Sequence, residues 1–465
     1  MSLARATSQS RAVETAVTRA SGARPVPGND VALLIDGSEA YPAMLDVIAG
    51  ARRWVHFDNY IIHSDAEGWR FAEALAQRAR EGLRVRVSYD WMGSFGTRRR
   101  YWRYLREAGC EVRGFGRPQL LDPLRMLIRN HRKLVVADGR DAVIGGLCIG
   151  CEWTGCGRPG QTPWRDTAVR IAGPAAAMLD AAFRGSWTAE GGMLPPEESV
   201  PDVEARGTAI VHTVVGEPGQ ERAYRLIELL ATGARNRLWI TDAYFLAPPR
   251  LLQAFRDAAR DGVDVRILVP GSSDIPLVRN LTRIGYRDLL RSGVRIFEWD
   301  GPMLHAKTIT VDGRWVRVGS SNLNPASLVG NYELDALVDD PALAEALERQ
   351  FRLDTARSSE VIRRPVRVPA RLSRRLPTAL ERQAPEELVP PPAHRTDRRE
   401  RATIALRLMA SHARRSVFGP ATLALVILAA LFVFLPQTMA YLFGALCIWL
   451  AVSFGREALR RRADR

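Results

Sequence analysis

The sequence predicts an α/β protein of two similar lobes, each a mixed β-sheet flanked by helices, followed by a C-terminal transmembrane helical hairpin. Three observations predict it. One octad pattern occurs twice, as His131-Arg-Lys133-Leu-Val-Val-Ala-Asp138 and His305-Ala-Lys307-Thr-Ile-Thr-Val-Asp312, 174 residues apart. The elements leading into each octad recur in the same order. Residues 416–455, forty in a row, carry no charge. A spacing of 174 residues is too long for a solenoid period and fits a duplicated domain.

Residues 1–30 are rich in Ala, Arg and Ser and lack the apolar core of a secretory signal, so they read as a disordered tail. The first lobe is assigned to residues 31–205. Within it, residues 54–60 read as a strand and 71–80 as a helix. Gly82 turns the chain into an alternating strand through Leu83, Val85 and Val87, and residues 103–109 form the next helix. The octad follows. Asp138-Gly139 stands between two apolar runs, the pattern of a β-hairpin, and the second run ends at Gly145-Gly146. The second lobe, residues 206–357, repeats this order. Residues 238–244 are the strand, 252–260 the helix, and Gly262 precedes the strand of Val263, Val265 and Ile267. Residues 286–293 are the next helix, and Asp312-Gly313 leads to Gly319-Ser320-Ser321-Asn322. Such an alternation of strands and helices, twice over, argues an α/β architecture.

Residues 358–415 read as a basic linker rich in Pro and Arg. Residues 417–435 and 439–454, either side of Pro436-Gln437-Thr438, are each about the ~17–20 residues needed to cross a thin bilayer. Arginines lie on both outer flanks, and residues 456–465 form a basic tail. Two spans with both ends on the basic side satisfy the positive-inside rule and place the lobes in the cytoplasm, on the bacterial inner membrane. One long tilted helix or a buried apolar hairpin is the other reading of this run.

The chain carries a net charge of +15, but residues 1–360 account for only +3 of it. The excess sits in 361–415 and 456–465, flanking the apolar run. A nuclease needs a basic catalytic face, so this placement argues against nucleic acid and for an anionic lipid surface. Of the five cysteines, Cys148, Cys151 and Cys156 cluster without a nearby histidine or a fourth ligand. They are expected to be free thiols, with neither metal nor cofactor.

Of 66 basic residues only Lys133 and Lys307 are lysine, and both stand two residues after a histidine. Lysine is a compact point charge where arginine is a broad fork. On a strand, a spacing of two puts histidine and lysine on one face. Two lobes packed face to face bring two histidines and two lysines to one point. The ammonium groups then hold the nonbridging oxygens of a phosphodiester. One imidazole attacks phosphorus while the other protonates the leaving alcohol and later deprotonates the acceptor. Asp138 and Asp312 complete the octads, but at the hairpin turns they read as fixing the turn.

The paired octads, with Gly319-Ser320-Ser321-Asn322-Leu-Asn324, resemble the phospholipase D superfamily, and more closely its bacterial cardiolipin synthases. Asp36-Gly37, Asn59-Tyr60, Asn130, Trp164-Arg165-Asp166-Thr167 and Asn331-Tyr332-Glu333 also carry the resemblance, which covers residues 31–355. It implies two phospholipase D-like lobes and a metal-independent phosphatidyl transfer through a covalent histidine. It makes His131, Lys133, Asp138, His305, Lys307 and Asp312 the catalytic octad residues, with His131 the nucleophile and His305 the general acid/base. The residues alone also allow the reverse assignment. Asp166 and Glu333, 35 and 28 residues after their histidines, match carboxylates that orient the imidazoles. Asn322, Ser320, Gly145 and Gly146 match the substrate-binding stretch after each octad. Cys148 stands where Asn322 has its first-lobe counterpart, and Cys151 where such synthases often carry an acid; both depart from the pattern.

The reaction implied joins two phosphatidylglycerol molecules into cardiolipin and releases glycerol. A lipid hydrolase would use the same histidines with water as acceptor. A nuclease or a non-catalytic lipid scaffold fits less well. Both half-sites lie in one chain, so no oligomer is required. Residues 97–106 interleave arginine and aromatics, as a phosphate-gripping surface or as a solvated amphipathic helix. The apolar residues 120–128 form either a lip for acyl chains or core.

Overall fold

The computed structural model describes residues 2–117, 128–157, 160, 162–195, 198, 202–365, 386–388 and 449. The expected membrane hairpin, the basic tail, most of the linker and residues 120–127 lie outside them. No helix among the described residues is long and apolar enough to cross a membrane. Chain contacts divide the molecule into two units, and everything below belongs to the unit of residues 1–117 and 127–391. The other unit, residues 118–126 and 392–465, is described only at Trp449.

After helix α1 (Ser2–Ser21) the first half contributes β1 (Val26–Ile35), α2 (Asp36–Gly50), β2 (Trp54–Asn59), α3 (Ala66–Arg80) and β3 (Arg84–Asp90). It continues with α4 (Arg99–Glu107), β4 (Glu111–Phe115), β5 (Lys133–Ala137), β6 (Asp141–Gly145), β7 (Thr167–Ala172) and α5 (Pro174–Ala189). The second half runs β8 (Ala209–Gly216), α6 (Arg222–Gly233), β9 (Arg237–Thr241), α7 (Pro249–Arg260) and β10 (Asp264–Pro270). Then come α8 (Pro276–Ile284), α9 (Tyr286–Arg291), β11 (Arg295–Trp299), β12 (Thr308–Val311), β13 (Trp315–Gly319), β14 (Glu333–Asp339) and α10 (Pro341–Ala356). A short β15 (Ser358–Glu360) edges the sheet, and β16 (Arg363–Pro365) pairs with β17 (Glu386–Leu388).

Fifteen strands make one mixed sheet in the order β15-β11-β10-β9-β12-β13-β14-β8-β1-β7-β6-β5-β2-β3-β4. Read outward from the central antiparallel pair β1 and β8, the two halves have the same order. In each, an outer parallel trio meets an inner antiparallel run, as crossover helices and hairpins respectively require. Both hairpins turn where Asp-Gly predicts. Asp138 and Gly139 have φ of 54° and 63°, and Asp312 and Gly313 have 53° and 66°. Left-handed conformation at both central residues matches the twist of the flanking strands. One apolar core spans the two halves, joining Val169 and Ile171 of β7 to Leu334, Ala336 and Val338 of β14. This continuity is what holds two half-sites in register.

The N-terminal reading needs correction. Ser2–Ser21 is helical, the first strand starts at Val26, and Val17 and Ala23 join the core around α6. An Ala-rich run has high helix propensity, and a few apolar residues on one face suffice once α6 offers a partner.

Candidate active site

The histidines sit just before their strands, since β5 opens at Lys133 and β12 at Thr308. Each approach segment bridges to the opposite half. His131 N–H donates to Tyr332 O at 2.9 Å, and His305 N–H donates to Arg165 O at 2.7 Å. The residues that follow these partners are Glu333 and Asp166. The imidazoles are therefore held crosswise: His131 Nδ1 lies 3.0 Å from Glu333 Oε2, and His305 Nδ1 lies 2.8 Å from Asp166 Oδ2. Each acid follows one histidine in sequence and orients the other in space. A carboxylate accepts only, so Nδ1 carries the hydrogen and the Nε2 lone pair is left free.

All four groups are buried, as are Lys133 and Lys307 at 1% and 0% exposure. Lys133 Nζ donates to His131 O at 2.6 Å, and Lys307 Nζ donates to His305 O. Tyr60 and Tyr244 flank the two pairs: their rings lie 4.8 Å from His131 and 5.9 Å from His305, and each faces its lysine ammonium. Trp153 and Trp164 close on His305 from another side, at 5.6 and 5.8 Å.

Burial pushes the His305 pKa down to about 4, helped by Lys307 and Lys133 and opposed by Asp166. Burial, with Lys133 and Lys307, also lowers His131 against the pull of Glu333. Each histidine thus feels the lysine of the other half, which is what convergence on one point requires. Burial lowers Lys307 to about 8, countered by Asp166 and worsened by Lys133. Burial alone would raise both carboxyls, but His305, Lys307 and Trp153 hold Asp166 below the usual range. His131, Lys133 and Ser320 do the same for Glu333. A phosphodiester anion between the lysines would offset their charge and let an imidazole take up a proton.

Three expectations are revised by this geometry. Asp138 and Asp312 do not touch the site. Asp138 accepts from the N–H groups of Arg52, Arg53 and Trp54, and Asp312 from those of Arg235, Asn236 and Arg237. They cap hairpins at the far ends of β5 and β12, where they brace the scaffold. Gly145, Gly146 and Ser320 serve the sheet and the acids, not open space. A Cβ on Gly145 would fall 2.6 Å from Ala168 Cα, and one on Gly146 would fall 2.1 Å from Asp166 Oδ1. Ser320 Oγ–H donates to Glu333 Oε2. Cys151 and Cys156, expected as free thiols, are joined, with Cα atoms 5.1 Å apart; the left-handed turn at Cys156 folds this short stretch back on itself. Cys110 and Cys148 are free and buried. Asn322 remains a substrate-facing candidate. It is 4% exposed, and its Oδ1 has no hydrogen-bond partner among the described residues.

Sequence reasoning missed three supporting residues. Trp153 Nε1–H donates to Asp166 Oδ2 at 2.8 Å, the same oxygen that holds His305. Ser327 Oγ–H donates to Glu333 Oε1. Arg132, between the motif's histidine and lysine, donates to Glu333 O, Ala182 O and Gly216 O, tying the two halves under the site. Only Arg132 left a signal, as the residue whose side chain must point away from its neighbours.

A sheet of two like halves meeting at a twin histidine–lysine site defines the phospholipase D class. A family model described as "Cardiolipin synthase, PLD-like domain" matches residues 226–355. Cardiolipin synthase A of Pseudomonas aeruginosa (strain LESB58) is 33% identical over 348 residues, 74% of this chain and 71% of that protein. Cardiolipin synthase of Staphylococcus aureus (strain Mu50 / ATCC 700699) is 33% identical over 340 residues, 72% of this chain and 68% of that one. The crystal structure of phosphatidylserine synthase from Haemophilus influenzae Rd KW20 shares the fold. It gives a TM-score of 0.58 at 16% identity, over 75% of this chain and 91% of that one. The chain belongs to the cardiolipin synthase family of the phospholipase D superfamily.

Proposed function

We propose that this chain is a membrane-anchored phosphatidyltransferase that converts two phosphatidylglycerol molecules to cardiolipin and glycerol. The observation that carries this reading is the crossed pair of imidazoles, each fixed at Nδ1 by a buried carboxylate, beside two buried lysines. Lys133 and Lys307 neutralise the nonbridging oxygens of the donor phosphate. His131 Nε2 attacks phosphorus while His305 Nε2 delivers a proton to the leaving glycerol oxygen. The P–O bond breaks and a phosphatidyl-histidine remains. The hydroxyl of a second phosphatidylglycerol gives its proton to His305 and attacks phosphorus, freeing His131. Bond types are conserved, so neither nucleotide nor metal is called for. Asn322, with its unpartnered amide oxygen, is placed against the donor headgroup. The two halves of the sheet are the two lobes read from the sequence, and residues 416–455 are the membrane hairpin.

The side of the membrane draws on opposed observations. A Cys151–Cys156 bridge favours an oxidising compartment. Arginines flanking both ends of the apolar run favour the cytoplasm. The arginines act on insertion itself, so the lobes are placed in the cytoplasm; fusion of a reporter that works only there to the C-terminus decides it.

The test of the activity is mass spectrometry of lipids after the purified chain meets phosphatidylglycerol vesicles in the presence of a metal chelator. Cardiolipin plus glycerol is expected, with a covalent phosphatidyl adduct on the peptide holding His131. Removal of a nucleophile or general acid costs about 10²–10⁴-fold or more, so His131→Ala should abolish both product and adduct. Phosphatidic acid alone would make the chain a hydrolase.

A further inference from the structure

We propose that two segments at the rim of the site, residues 91–100 and 273–287, form a bipartite surface that seats the catalytic pocket on an anionic lipid bilayer. Each follows the second parallel strand of its half, β3 or β10, and each is mounted on the tyrosine strip that lines the site. In the first half, Ser94 Oγ–H donates to Tyr60 O at 3.2 Å, and Tyr60 is the residue against His131. In the second, Tyr244 OH donates to Asp274 at 2.9 Å, and Thr282 Oγ1–H donates to Phe245 O at 2.8 Å. Tyr244 is the residue against His305. The two segments thus occupy matching places beside the two histidines.

Both segments turn apolar side chains to solvent. Phe95 is 62% exposed, Ile275 44%, Leu281 43% and Ile284 75%. These are four of the nine large exposed apolar residues among the described ones, gathered on two short stretches of rim. Leu281 and Ile284, one helical turn apart, share a face of α8. Exposed arginines lie close to them in sequence, Arg98, Arg99, Arg100 and Arg103 in the first half and Arg287 in the second, where Asp274 and Asp288 are exposed as well. Apolar tips with exposed arginine nearby suit a layer with an acyl interior and anionic headgroups. It suits a nucleic acid poorly, because the tips would then stay in water. The surface also gives residues 97–106 a role, since their arginines are the headgroup-facing part of the rim.

This inference rests on the phosphatidyltransferase reading in one respect: a donor with two long acyl chains stays in the bilayer, so the pocket mouth must come to it. The test separates the two. The full chain is assayed on phosphatidylglycerol in reconstituted vesicles, and on a short-chain phosphatidylglycerol dissolved as monomers. A wild-type chain inactive on both lipids would overturn the activity, and this inference with it. With wild type active on both, Phe95→Ser/Leu281→Ser/Ile284→Ser is expected to lose about tenfold or more on vesicles, as three apolar anchors are removed. Its monomer rate should stay within about twofold, since all three side chains are exposed. Arg98→Gln/Arg99→Gln/Arg100→Gln should flatten the dependence of the vesicle rate on anionic lipid content and on salt. Equal loss on both lipids, or unchanged vesicle rates, overturns the proposal. So does a change of oligomeric state by light scattering with the vesicle rate retained, which would assign the surface to a second copy of the chain.

Discussion

In one half of the site His305 is held by Asp166, a short acid that reaches the ring only because Gly146 leaves no side chain in its way. Its support is rigid and aromatic: the Trp153 indole N–H on the same oxygen, and the Thr167 N–H on the other. In the other half His131 is held by Glu333, one methylene longer. There Ser320 stands at the place of Gly146 and supplies a hydroxyl, and Ser327 supplies a second. Two octads that share their histidine, lysine and aspartate thus differ just outside the motif, in compensating pairs: Gly with Asp, Ser with Glu. The comparison teaches that the constraint is on where the carboxylate oxygen lies, not on which acid brings it there. It also suits a division of labour, since a nucleophile and a proton carrier need different tuning of the same ring.

The crossed pairing is the part of this comparison most open to attack, and it predicts the largest effects. Asp166→Asn and Glu333→Gln each replace an acceptor-only carboxylate with a neutral amide whose NH2 can donate to Nδ1 and set the wrong tautomer, and each should slow turnover by about 10²–10⁴-fold. Combined with His305→Ala, Asp166→Asn should cost little more than His305→Ala alone; Glu333→Gln should do likewise with His131→Ala. Non-additivity within same-half pairs in place of crossed ones, measured by such double-mutant cycles, would sink the arrangement.

Lys307 offers a pH test. Its folded-state pKa is lowered to about 8 by burial, so its charge is present below that pH and lost as pH rises through it. The value of kcat/KM on phosphatidylglycerol should fall on the alkaline side near that point. Lys307→Arg should move the fall to much higher pH, whatever it does to the rate, because guanidinium stays charged. An alkaline limb unmoved by the substitution assigns it to another group.

Smaller effects should separate the two supports. Trp153→Phe keeps a ring and removes the N–H from Asp166, leaving that carboxylate more basic and His305 easier to protonate. A roughly tenfold fall in kcat, typical for a lost hydrogen bond to a charged group, should come with the limb of the pH profile set by His305 shifted to higher pH and KM little changed. Ser327→Ala should act on His131 instead, by a few-fold, about the worth of one hydroxyl hydrogen bond. A fall in kcat with the pH profile fixed would make Trp153 a packing residue only.

The smallest effect on chemistry is expected at Asp138 and Asp312. Asp138→Ala removes the acceptor of three backbone N–H groups and should lower stability by about 1–3 kcal/mol. The rate per folded molecule should not change, and chemical denaturation beside the assay checks both. A large loss of kcat at full stability would return Asp138 to the catalytic group.

Much of the fold was legible because its signals are local. The Asp-Gly turns sit where their left-handed residues are needed, and the strand–helix alternation is written in hydrophobic period. The lysines were legible for another reason: in a chain that uses arginine elsewhere, their retention marks a place where charge geometry matters. The N-terminal helix was not legible, since its stability comes from α6, some two hundred residues away in the chain. Nor was the bridge between Cys151 and Cys156, which depends on a turn at Cys156 that spacing does not specify.

By itself the sequence determined that two copies of one motif exist, that each carries an imidazole and an ammonium, and that an apolar run with basic flanks follows them. Those are properties of residue identity and short-range period. Only the tertiary structure decided which acid serves which histidine, because the approach segments of the octads pair across the halves. Only it decided that Trp153 and Ser327 belong to the site. Hydrogen bonds of this kind join groups up to about two hundred residues apart in the chain, and a long-range pairing is set by how β-strands register in space, which no local pattern encodes.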